Sequence, residues 1–126
     1  MWTYKQSTGD LFREGRFVAR GYSGREWGKN NPQAQAARGI GPIPCGHWRM
    51  ISLYDSRSVG PRTIRLDALD DTPGDDRHAP TGRTAFRIHG DSLRTLGTAS
   101  HGCIILPRAM RLAMWQSGDH FLEVVP

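Results

Sequence analysis

Two short segments hold the residues able to do chemistry. They are Ile88-His89-Gly90-Asp91-Ser92 and Ser100-His101-Gly102-Cys103-Ile104-Ile105-Leu106, with ten residues between His89 and Ser100. A thiol attacks a carbonyl as its thiolate, and at an ordinary pKa only about 3% is ionised at pH 7. An imidazole beside the sulfur raises that fraction and then protonates the leaving amine. Cys103 is therefore the candidate nucleophile and His89 the candidate base. The base needs a third group to hold its tautomer, and both the Gly90 carbonyl and the Asp91 carboxylate are candidates. Gly102 lets substrate approach the backbone closely. The N–H groups around Gly102 and Cys103 can form an oxyanion hole, worth ~3 kcal/mol per donor. Plain structural roles compete with each assignment taken singly. A cysteine before Ile-Ile-Leu is usually a buried core thiol. Asp91 can instead cap a short helical turn over 92–96 that Gly97 ends. The residues taken together favour the chemical reading.

The elements around these segments read as short strands. Residues 2–5 alternate, 7–10 turn, and 11–13 run to a turn at Glu14-Gly15 before a strand over 16–20. Pro32 and Gly39 bracket a short helix over 33–38. Strands follow over 46–53 and 62–69. The stretch 70–82 is rich in Asp, Pro and Gly but lacks the ligand spacing of a calcium loop, so it reads as a solvated loop. A strand over 85–89 ends at His89, and Cys103 opens another apolar strand after the connecting loop. Pro107 to Ser117 is the best helix, stopped by Gly118, and 121–125 is a closing strand. The sum is a mainly β fold, a β-sandwich or curled sheet with one or two short helices, in a single domain over 1–126.

Composition agrees. The 126 residues include 15 Gly and 8 Pro, which leaves little room for a long helical bundle. No apolar run approaches the ~18 residues of a membrane span. The N-terminus lacks the basic and apolar regions of a Sec-type signal peptide. Lys+Arg exceed Asp+Glu by 17 to 12, and the only lysines are Lys5 and Lys29. A solvated surface accounts for this excess, and the competing functional reading is an anionic polymer, a nucleic acid or an acidic wall glycan peptide, since arginine suits bidentate binding of carboxylate or phosphate. The basic residues are scattered and no nucleic-acid signature appears, so no specific nucleic-acid partner is expected.

The Ser100-His101-Gly102-Cys103 element with His89 upstream resembles the active-site signature of L,D-transpeptidases with the YkuD-type domain. The spacer is shorter than usual, and Ile105 stands where that family often has arginine. Both departures resemble the smaller L,D-transpeptidase effector toxins of type VI secretion. The segments Tyr22-Ser23-Gly24, Asn30-Asn31-Pro32, Phe86-Arg87-Ile88-His89-Gly90 and Trp115 to Asp119 carry the same resemblance. The resemblance implies Cys103 as nucleophile, His89 as base oriented by the Gly90 carbonyl, and His101 as a supporting residue. It implies the peptidoglycan stem peptide as substrate and no metal or organic cofactor. Ser100, Asp91, Tyr22, Asn31 and Arg108 are candidate substrate-binding residues, and Arg87 and Arg111 are further candidates to pair with stem carboxylates. The implied route is synthesis in the cytoplasm without a Sec leader, export, and action in the periplasm of target bacteria. The implied partners are a secretion-machine component and a periplasmic immunity protein.

Three other readings have their own features. A cysteine amidase or endopeptidase cutting another wall bond would use the same site. A zinc module would use Cys45, His47, His101 and Cys103, ligand types at untypically tight spacing. Cys45 can pair with Cys103 in a disulfide, which would disable the nucleophile, or remain a free space-filling thiol. The free thiol is the expectation here.

Overall fold

Alternation at the N-terminus does make strands. β1 (Trp2–Lys5) buries Trp2 and Tyr4 and exposes Lys5. β2 (Asp10–Arg13) and β3 (Arg16–Arg20) pair antiparallel across Glu14-Gly15. Both loop residues have positive φ, 47° and 78°, as the tight turn of a two-residue hairpin requires. The computed structural model, which describes residues 1–126, continues with β4 (Tyr22–Ser23), β5 (Gly46–Ser56), β6 (Gly60–Ala68), β7 (Arg87–His89), β8 (Ile104–Ile105), α1 (Arg108–Gln116) and β9 (Phe121–Val125).

All nine strands form one sheet in the order β3-β2-β1-β9-β5-β6-β7-β8-β4. β3 and β4 lie at opposite ends of that order, yet Gly21 alone separates them in the chain. One residue spans at most about 3.6 Å, so the two edges must come together and the sheet must curl. Gly21 sits at this seam. Its N–H donates to the Gly9 carbonyl at 2.8 Å, and a Cβ there would lie 1.8 Å from the Ile105 carbonyl oxygen. The curl explains why one core unites distant strands: Trp2 and Leu11 with Trp48 and Met50, and these with Ile88 and Ile104. Met114 of α1 is fully buried in the same core.

The mainly β reading with a curled sheet and one short α-helix holds. Three local expectations change, and the alternative helical turn at 92–96 falls away; the first change is that the strand over 85–89 shortens to Arg87–His89, with Ala85 at φ +67°. Pro32–Ala34 forms a single 3-10 turn, and the helix over 33–38 does not continue beyond it. The Asn31 side chain caps that turn by accepting from the Gln33 N–H. No helix forms over 92–96; the Ser92 hydroxyl instead accepts the N–H groups of Arg94 and Thr95 in successive turns. The central hairpin is longer than its apolar pattern suggests, because β5 extends three residues beyond Leu53 to Ser56. No helix is long and apolar enough to cross a membrane.

Candidate active site

The nucleophile candidate and the base candidate are set by one parallel ladder. β7 and β8 pair with Ile88 opposite Ile104 and His89 opposite Ile105. Extending this register by one puts Cys103 opposite Arg87. Cys103 thus stands two residues from the level of His89, roughly 6–7 Å along the strand.

Cys103 is half-buried at the wall of a cavity of about 400 Å³, shared with Arg38, Arg83, Ala85, Phe86 and His101. The sulfur's hydrogen-bond partner is the Ala85 carbonyl, 3.8 Å away. Burial pushes the thiol up to about 11. The Arg87 backbone N–H and the charges of Arg87 and Arg83 oppose that rise, and Asp76 adds to it. The resting sulfur is therefore protonated at neutral pH.

His89 is 3% exposed, and its Nδ1 lies 2.8 Å from the Gly90 carbonyl. A carbonyl only accepts, so Nδ1 carries the proton and Nε2 keeps the free lone pair. Burial holds the imidazole below its ordinary pKa; the Gly90 carbonyl opposes this, the Arg111 charge reinforces it, and weaker charge effects from Asp91 and His101 oppose and reinforce it in turn. Of the two groups open to orient His89, the Gly90 carbonyl is in contact. The Asp91 carboxylate is occupied elsewhere. It accepts from the Tyr22 hydroxyl at 2.5 Å, from the Ser92 N–H and from the Gly97 N–H. Tyr22 in turn accepts from the Ala99 N–H. Tyr22 and Asp91 thus tie down the loop leading into the Cys103 segment.

Ser100 is wholly buried, and its hydroxyl is saturated by backbone. It donates to the Cys103 carbonyl at 2.6 Å and accepts the N–H groups of Gly24 at 2.9 Å and Gly102 at 3.1 Å. Its place is under the loop that carries Cys103, where every bond it makes is to backbone. The same bond occupies the Gly102 N–H, leaving the Cys103 N–H as the unpaired amide at this point. Of the two expected oxyanion donors, one remains. Gly102 is also needed for a different reason than substrate approach. Its φ is +139°, and a Cβ would lie 2.3 Å from the Arg83 guanidinium.

The remaining candidates separate. His101 is exposed on the rim of the Cys103 cavity. Arg108, also exposed, lines a second cavity of about 540 Å³ with Gly90, Asp91, Tyr22 and Leu96. Asn31 lines neither cavity. Arg87 is engaged by Tyr54, the Phe86 carbonyl and Asp76, the last at 3.2 Å. Arg111 is buried on the carbonyls of Leu106, Arg62 and Pro61. These two guanidiniums are engaged inside the protein, and Arg111 also borders the second cavity beside Arg108. Arg38 is exposed at the cavity with neither an ion pair nor a hydrogen bond, and it is the free cation there. Neither Arg38 nor Arg83 stands out in a sequence with arginines scattered throughout, and no local signal marks them.

Both cysteines are free thiols. The Cys45 sulfur donates to the Gln6 side-chain oxygen at 3.2 Å, and burial raises its pKa. Cys45, His47, His101 and Cys103 do not gather into a ligand set, since no three His, Cys, Asp or Glu side chains do so anywhere in the chain.

The profile of the Tlde1 domain family matches residues 18–125, everything from within β3 to the last residue of β9. No curated protein matches the chain in sequence. The chain belongs to the Tlde1 domain family, a family of type VI secretion effectors with peptidoglycan as target.

Proposed function

We propose that this Tlde1-family chain is a cysteine acyltransferase of the L,D-transpeptidase type, acting on stem tetrapeptides of peptidoglycan. The observation that carries the reading is the strand register that sets two neutral groups on neighbouring strands. A protonated Cys103 thiol opens on a cavity with a free amide and a free guanidinium, and one ladder away stands a neutral His89 with its Nε2 lone pair bare. A neutral pair acts by general base catalysis, with the proton moving as the sulfur attacks.

The chemistry then balances as follows. The Cys103 sulfur bonds to the carbonyl carbon of the third stem residue, at the L-centre of diaminopimelate, and its proton passes to His89. The Cys103 N–H faces the developing oxyanion. The C–N bond breaks, the proton returns to the amine, and D-Ala leaves from a thioester on Cys103. Water as the second nucleophile gives L,D-carboxypeptidase activity. A D-amino acid or a stem amine gives exchange or crosslinking. No step requires a metal or an organic cofactor. Arg38 is placed to hold a stem carboxylate, with Arg108 as a more distant cation. The +5 net charge favours association with an anionic wall, an attraction that salt screens. As an antibacterial effector the protein is delivered to the periplasm of a target cell, and its producer needs a periplasmic immunity protein.

Mass spectrometry of purified stem peptides tests the reading. Tetrapeptide substrate is expected to lose terminal D-Ala, or exchange it for an added D-amino acid, with wild type and Cys45→Ala but not with Cys103→Ala. Cleavage at another bond would assign the protein to the amidase or endopeptidase class. In cells, toxicity is expected with an added Sec leader and not without it. Toxicity that survives Cys103→Ala would overturn the enzyme reading.

A further inference from the structure

Arg83 is 4% exposed and makes no ion pair. Its four terminal N–H donors all meet backbone carbonyls: Gln35 and Pro42 at 2.7 Å, Gly41 at 3.0 Å and His101 at 3.1 Å. Its guanidinium carbon lies 5.0 Å from the centre of the Phe86 ring. One side chain thus joins the 35–42 segment to the nucleophile loop. The contact with Gly102, where a Cβ cannot fit, shows how closely it underlies Cys103. Its Nε–H donates to nothing in the protein. Only Tyr4 and Asp67 hold polar atoms buried without a partner, so Nε is not sealed from solvent, and the residue lines the same cavity as Cys103.

A buried cation is costly unless an anion faces it. Carbonyls supply dipoles but no charge, and Arg83 has no carboxylate neighbour. The charged groups around the sulfur are Arg83, Arg87, Asp76 and Arg38, with the imidazoles of His101 at the cavity and His89 on the neighbouring strand. Arg87 is already paired with Asp76 at 3.2 Å. Arg111 is likewise buried on carbonyls without an ion pair but lines the other cavity, which leaves Arg83 as the buried cation without a counter-ion beside Cys103.

We propose that Arg83 faces the thiolate that forms when Cys103 gives up its proton, so that Arg83 is a positioning residue that fixes the loop carrying Cys103 and lowers the cost of ionising a sulfur that rests protonated. The thiol proton passes to His89 or to water, and no bond other than S–H is broken. The proposal takes Cys103 as the nucleophile from the reading above, but its test uses no wall substrate. Failure of the stem-peptide assay and failure of this test are therefore separable.

The first measurement is the rate of iodoacetamide alkylation of Cys103 against pH, in a Cys45→Ala background. Arg83→Lys keeps the charge and loses most carbonyl bonds. Arg83→Gln keeps some hydrogen bonding and loses the charge. The expected result is a midpoint near that of the parent for Arg83→Lys. For Arg83→Gln it lies about one unit higher, making alkylation about tenfold slower at neutral pH. A merely structural role predicts the same midpoint in all three proteins, or the same shift in both variants, and either result overturns the proposal. The second measurement leaves Arg83 in place. Cys103→Asp supplies a permanent anion and Cys103→Asn its neutral isostere. At pH 7 the aspartate variant is expected to melt at the higher temperature, with the advantage lost on replacing Arg83. A lower melting temperature for Cys103→Asp than for Cys103→Asn overturns the proposal even where the Arg83 variants do not fold.

Discussion

Ser100→Ala separates a scaffold role from a substrate-binding role more cleanly than any other single change. The substitution keeps Cβ and removes one oxygen, so it opens almost no cavity. What it removes is three hydrogen bonds to backbone groups buried with it, those of Gly24, Gly102 and Cys103. A net ~1 kcal/mol per bond gives about 3 kcal/mol in all, and more where the orphaned amides find no water. For a domain of ordinary stability, about 5–15 kcal/mol, that is a large fraction. In urea unfolding followed by tryptophan fluorescence, the midpoint should fall by about 1.5 M with an unchanged slope near 2 kcal/mol/M. The melting temperature should fall by roughly 10 °C. The variant that remains folded should also alkylate at Cys103 less uniformly, because the hydroxyl ties the Cys103 carbonyl directly. A loss below about 1 kcal/mol, accompanied by a raised KM for stem peptide, would refute this reasoning and return Ser100 to the substrate.

Other outcomes follow from the same geometry. Gly21→Ala puts a methyl 1.8 Å from the Ile105 carbonyl oxygen, at the seam where β3 passes into β4. It should destabilise by at least about 4 kcal/mol, read by circular dichroism, and a near-native melt would contradict the curled seam. Burial holds His78 and His89 below their ordinary pKa, so the unfolded chain takes up protons first as pH falls. Their contribution is complete above about pH 6.5 and is lost progressively below it, whereas the depressed Asp91 and Asp119 contribute down to about pH 4. The melting temperature should thus be level from pH 8 to 7 and fall between 6.5 and 5, with a smaller fall in His89→Gln; a level profile down to pH 5 would refute this. Arg38→Ala should lower kcat/KM for stem tetrapeptide about tenfold, mainly through KM, which corresponds to ~1.4 kcal/mol. An unchanged KM would remove Arg38 from the substrate site.

The sequence alone carried the local features. Alternation marked the N-terminal strands, since one face of each must be apolar. Glu14-Gly15 marked a tight hairpin, since its backbone needs positive φ. Pro107 and Gly118 bracketed the α-helix, because proline is tolerated at a helix start and glycine at its end. The residue types at His89 and Cys103 are ones able to do nucleophilic chemistry, and that much was legible whatever the fold. The tertiary structure decided what those residues touch. Ser100 reaches Gly24, Arg83 reaches Gln35 and Gly41, and Tyr22 reaches Asp91, all across dozens of residues. Choosing the Gly90 carbonyl over Asp91 for His89 likewise depended on Tyr22 and the Gly97 amide claiming the carboxylate first. Strand and turn formation follow from each residue's own dihedral and solvation preferences over a few neighbours. The satisfaction of a buried polar group depends on which distant backbone the sheet's curl delivers to it, and no short stretch of sequence contains that information.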